Sequence, residues 1–191
     1  DDDIFYNCNK GADFSYITGL TKFGIEKIPP LVGRGVLVNM AKYFDIISME
    51  GGQGITRKNI QEAAKEQNIN FKKGDIILFH TGWTDAKLKS SPEEWGSTIP
   101  GITNDAAVYL ASLQPMAVGA DTWGLGAVPP IAGDMVYYDH VTLIKENGIY
   151  ILETMNTGKL ASDNVSEFMF VLGQPKIKGA VQMIINPVAL W

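Results

Sequence analysis

The sequence is short of the residues on which several kinds of chemistry depend. Cys8 is the only cysteine among 191 residues, so no disulfide can form within the chain and no cysteine-based zinc cage can be assembled from it. Histidine occurs twice, as His80 and His140. No run approaches the ~18 consecutive apolar residues of a membrane-spanning helix, and the opening Asp1-Asp2-Asp3 is the reverse of a signal peptide's basic start. A soluble, cytoplasmic protein with no membrane partner is the expectation. Positive charge is scarce too: 16 Lys and Arg stand against 21 Asp and Glu, a net of -5. That leaves little with which to track a phosphate backbone, and no nucleic-acid partner is expected. A G-x-S-x-G nucleophile elbow and a P-loop are both missing, and Gly51-Gly52-Gln53-Gly54 lacks the spacing of a dinucleotide-binding turn. Cys8 lies in a polar stretch without a local signature for thiolate activation.

What is present is enough for one packed domain over residues 1–191. Hydrophobic residues make up 46% and charged residues 19% of the chain, the profile of an ordinary globule. Gly11 to Pro30 reads as irregular structure. Short apolar runs predict strands at Val36–Met40, Ile76–His80, Met116–Ala120, Ile149–Leu152, Phe168–Leu172 and Val181–Ile185. Between them, Thr56 caps a predicted helix through Gln67. Ser91-Pro92-Glu93-Glu94 starts a short helix, Thr103 caps one that runs towards Pro115, and a further helix spans His140 to Lys145. Strands alternating with helices give an α/β class with a mixed sheet.

In such sheets ligands gather beyond the carboxyl ends of strands. Three ends carry chemistry: His80-Thr81-Gly82-Trp83, Asp121-Thr122-Trp123-Gly124 and Glu153-Thr154-Met155-Asn156. His140 and Glu153 are thirteen residues apart, across a helix and a returning strand. They suit either a divalent metal, through imidazole nitrogen and carboxylate oxygen, or a plain hydrogen-bonded pair. His80 is read as a pocket residue or as a neutral histidine with one satisfied bond. Trp83 and Trp123 are read as aromatic walls of a small-molecule pocket or as packing residues. Asp121 either orients a catalytic group or caps a turn.

Taken together, four ordered blocks resemble the putative cyclase family, which includes bacterial kynurenine formamidase and isatin hydrolase. They are Val32-Gly33-Arg34-Gly35-Val36-Leu37, the run from Lys73 to Trp83, Gly119-Ala120-Asp121-Thr122-Trp123, and Asn147 to Glu153. The resemblance implies a swivelling β/β/α domain with a mixed central sheet and a homodimer or homotetramer. It also implies a divalent metal, manganese or zinc, that activates water to open an amide or lactam of a small, aromatic or cyclic substrate. By position, His140 and Glu153 match the family's later histidine and glutamate, at or beside the metal, with His140 also a candidate catalytic residue. Asp121 becomes a second catalytic candidate, and Trp83, Trp123 and His80 become substrate-binding candidates.

The sequence departs from the family pattern in one large respect. Relatives carry an upstream HxGTHxDxxxH signature that supplies the principal metal ligands, and neither His80 nor His140 lies in such a motif. Asp1 to Asn9 resembles the segment that follows the signature, so the main ligands are expected upstream of Asp1. The alternative expectation is a protein that has lost the signature and acts as a non-catalytic small-molecule binder or assembly subunit. Gly126 also stands where many members carry Glu, and Gly179 to Ile184 replaces a stretch containing Gly, Ser and Pro.

Overall fold

A computed structural model describes residues 3–191; Asp1 and Asp2, part of the acidic opening, lie outside the described residues. Its centre is a six-stranded mixed sheet. The strands are β1 (Leu31–Asn39), β2 (Ile76–His80), β3 (Ala117–Ala120), β4 (Tyr150–Leu152), β5 (Glu167–Leu172) and β6 (Val188–Leu190). They lie in the order β4-β3-β2-β1-β5-β6. The first four are mutually parallel, β5 runs antiparallel to β1, and β6 runs antiparallel to β5. The predicted α/β class with a mixed central sheet is what the chain adopts.

Ile76–His80 is buried at every position, as a continuous apolar run in a central parallel strand demands. One face of the sheet, through Val36, Val38, Ile77, Phe79 and Val118, packs under α2 (Arg57–Glu66) and α5 (Asn104–Ser112). Helix α2 begins at a reciprocal cap, in which Asn59 N–H donates to Thr56 Oγ1 at 3.2 Å and Thr56 N–H donates to Asn59 Oδ1 at 2.9 Å. The other face buries Leu37, Leu78, Phe168 and Phe170. Gly35 makes that layer possible, since a Cβ there would stand 2.2 Å from the Phe168 ring. Arg34 ties three segments together through Asp75 at 2.8 Å and a two-pronged contact with Glu167 at 2.6 and 3.0 Å.

Two strand predictions need correction. Met40 does not end β1; it opens α1 (Met40–Tyr43), because Asn39 Oδ1 accepts from Lys42 N–H at 2.9 Å and caps the turn. The apolar run Val181–Ile185 forms no strand. Only Ile185 packs against the core, while Val181 is left 71% and Ile184 94% exposed. The edge position beside β5 is taken by β6 instead, so sheet pairing overrides local propensity. Two short helices were not predicted, α3 (Trp83–Lys87) and α7 (Gly158–Ser162), while α4 (Pro92–Ser97) follows its Pro signal. Among the described residues no helix is long and apolar enough to cross a membrane.

Candidate functional site

Because β1 to β4 run parallel, the ends of β2, β3 and β4 place His80, Asp121 and Glu153 along one edge of the sheet. His140 arrives by a different route. Tyr137 enters the left-handed region, with φ +58, and starts a short helical turn, α6 (Tyr138–His140), that widens into a π-helical turn over Val141–Glu146. Ile149 N–H then donates to Leu143 O at 2.8 Å and turns the chain into β4. Thr154, immediately after Glu153, has φ +54. Left-handed backbone at a β-branched residue is costly and concentrates at functional positions. Both flanks of the site carry such backbone.

This geometry brings His140 and Glu153 together. His140 Nε2 lies 3.5 Å from Glu153 Oε1, with the two side chains 35% and 31% exposed. On the other edge of the ring, Nδ1 is 3.1 Å from Asp139 Oδ2, a carboxylate only 5% exposed. These two atoms are close but not aligned as a hydrogen bond, and neither has another hydrogen-bond partner. The Asp139 carboxylate first, and that of Glu153 next, raise the His140 pKa from 6.5 to about 9, against the opposing effect of burial. The Tyr137 ring meets the imidazole edge-on at 5.6 Å. Trp123, Leu125, Gly126, Val136 and Tyr137 line a small cavity with His140.

His80 and Asp121 form a second, closed cluster. His80 is 8% exposed, with Nδ1 2.8 Å from Thr157 Oγ1 and 3.6 Å from Asp121 Oδ2. Asp121 Oδ1 accepts from Thr81 N–H at 2.9 Å and from the Thr81 hydroxyl at 2.7 Å, while Oδ2 accepts from Gly82 N–H at 2.9 Å. Burial raises the Asp121 pKa, opposed by His80 and by these donors. The cluster binds the end of β2 to the start of β3's loop and, through Thr157, to the segment after Glu153.

The tryptophans divide in the same way. Trp83 is fully buried, and Trp123 is half-buried beside His140. The Trp123 indole donates to the Trp95 carbonyl at 2.6 Å, and the Trp83 indole approaches the same oxygen at 3.5 Å. Trp95, Thr157 and Asp139 are site neighbours that the sequence reading missed. Trp95 carried no signal beyond a short helix, whereas Asp139 was detectable as an acid directly before His140.

The pair can be tested as a metal holder by its donors. One imidazole nitrogen and one carboxylate oxygen suit a borderline or hard divalent cation. A hydrolytic metal takes about three protein ligands, and among the described residues no group of three or more His, Cys, Asp or Glu is placed to hold one. The donors suit such a cation in kind, and the pair would supply two of its ligands. A larger cleft, lined by Asn39, Lys42, Tyr43, Glu66, Gln67 and Asn164 among others, contains neither histidine.

A family model described as putative cyclase matches residues 11–127, a stretch that ends before His140 and Glu153. No curated protein matches. A solved structure described as a novel cyclase is similar over 99% of this chain and 64% of its own, at 28% identity and a TM-score of 0.86. This chain therefore spans less than two thirds of that protein. Isatin hydrolase A from Labrenzia aggregata, bound to benzyl benzoate, is similar over 92% of this chain and 69% of its own, at 18% identity and a TM-score of 0.67. A predicted metal-dependent hydrolase from Bacillus stearothermophilus is similar over 83% and 63%, at 21% identity and a TM-score of 0.59. These last two likenesses are of fold.

Proposed function

We propose, from the premise that this chain belongs to the putative cyclase family, that it serves a metal-dependent hydrolase opening a C–N amide bond, formamide or lactam, in a small aromatic or cyclic substrate. The observation that carries the reading is His140 Nε2 facing Glu153 Oε1 at 3.5 Å, with His140 also lining the small cavity that Trp123 shares. Similarity of fold to isatin hydrolase A and to a predicted metal-dependent hydrolase supports it. Manganese or zinc is the proposed metal, with His140 Nε2 and Glu153 Oε1 supplying two of its ligands.

The chemistry such a cation supplies when bound is acidification of water and polarisation of a carbonyl. The chain's own residues do the rest. Trp123 offers a ring face and edge to an aromatic substrate. His140 brings an imidazole to the cavity, and Glu153 sets a carboxylate beside that ring. Asp121 and His80, buried and bonded internally, orient the strand ends that carry Trp123 and Glu153 rather than touching the substrate.

The test is hydrolysis of an N-formylated aromatic amine and of an aromatic lactam by the protein together with any polypeptide preceding Asp1, with Mn2+ or Zn2+ added. Turnover that disappears in Glu153→Gln is the expected result; inactivity with every metal contradicts the proposal. The donor count favours a second reading, a non-catalytic binder of small aromatic molecules. Metal analysis separates the two, since stoichiometric tight metal eliminates the binder.

A further inference from the structure

Two buried polar atoms beside the candidate pair have no hydrogen-bond partner, Asp139 Oδ2 and His140 Nδ1, and they lie 3.1 Å from each other. A buried carboxylate is costly unless a cation or donor faces it. Asp139 is 4% exposed, and the imidazole edge is the group that Oδ2 faces. We propose that Asp139 is a positioning residue for His140: its buried carboxylate holds the Nδ1 edge of the ring and so aims Nε2 at Glu153.

Three features support the assignment. The ring is contacted on opposite edges by two carboxylates, Asp139 at 3.1 Å and Glu153 at 3.5 Å, which fixes the direction of Nε2. The two residues are neighbours on one short helical turn that opens at the left-handed Tyr137, so the backbone commits both side chains together. Gly126 packs closely on the carboxylate: a Cβ there would stand 3.0 Å from Asp139 Oδ1 and 3.3 Å from Cγ, so a side chain at 126 would make Asp139 give by a few tenths of an ångström. Carboxylate–imidazole pairs of this kind orient a ligating histidine and raise its basicity. The role in metal binding rests on the function proposed above, but the ring's orientation does not.

The experiment exploits the scarcity of histidine. With only His80 and His140 in the chain, the two imidazoles can be followed separately by nitrogen-edited NMR of the metal-free protein. In the wild type, His140 is expected to give one ring conformation. Asp139→Ala should show an averaged or doubled ring, Asp139→Asn should restore part of the order, and Gly126→Ala should move the His140 signals while leaving those of His80 in place. If Asp139→Ala does not fold, as loss of the His80 signals would reveal, Gly126→Ala decides alone. His140 signals that superimpose on the wild type in the folded variants overturn the proposal. A Mn2+ titration adds the functional half: affinity should fall about 10- to 100-fold in Asp139→Ala. Absence of Mn2+ binding by the wild type would refute the metal reading while the ring spectra still decide the positioning role.

Discussion

The chain places its two histidines in matched but opposite surroundings. Each stands near an aspartate at the end of the sheet, yet His80 and Asp121 are sealed in a cluster whose carboxylate accepts three internal hydrogen bonds, whereas His140 is 35% exposed with Glu153 before it and an unsatisfied Asp139 behind. A saturated, buried node has spent its bonding capacity on architecture. An open, incompletely satisfied one leaves that capacity unspent, and the function proposed above assigns it to a ligand.

The comparison breaks most easily at Asp121. Asp121→Ala strands two backbone donors and a hydroxyl in a buried site, and denaturant unfolding should show a loss of about 3–5 kcal/mol; a loss below about 1 kcal/mol would mean the cluster is not a structural node. His80→Ala removes the contact with Thr157 and opens a small void, for which about 2 kcal/mol is expected. Mn2+ affinity should be unaffected there, a point that equilibrium titration of the same variant checks. At the open site the pattern inverts. Glu153→Gln should change stability by less than about 1 kcal/mol, while Mn2+ binding weakens at least about tenfold.

The last effect is a pH dependence. Because His140 is raised to about 9 by the two carboxylates, its protonated form contributes stability fully below the unfolded value of about 6.5. That contribution is lost as pH rises through about 9. In the metal-free protein, thermal melting should therefore show a decline over this window that His140→Ala flattens. A cation needs the neutral imidazole, so Mn2+ uptake should release a proton at pH 7 and tighten as pH approaches 9.

The sheet was legible where a single physical cause dominates. Ile76–His80 is apolar at every position but the last, and α2 carries its cap in Thr56 and Asn59, so both emerge from the sequence unaided. Val181–Ile185 misled because a β-branched run states a propensity and not a partner; strand pairing went to Val188–Leu190. Helix α3 was hidden by Gly82, whose φ of +76 starts it from a left-handed residue without a side-chain cap. Within the site, thirteen residues separate His140 from Glu153, and only the π-helical widening after His140 brings the imidazole back onto the strand end. Spacing supplied the candidates, and the return path decided their distance. Asp139 stood next to His140 in plain sight, but its burial and its close approach to Gly126 are long-range features that no local pattern records.

The account's central claim is that His140 and Glu153 form one side of a cation site while His80 does not. The most direct measurement is an electron paramagnetic resonance titration of Mn2+ into the protein with any polypeptide preceding Asp1, comparing wild type, His140→Ala, Glu153→Gln and His80→Ala. Tight binding that weakens at least about tenfold in the first two variants and stays unchanged in the third is predicted. Equal affinity across all four proteins would contradict it.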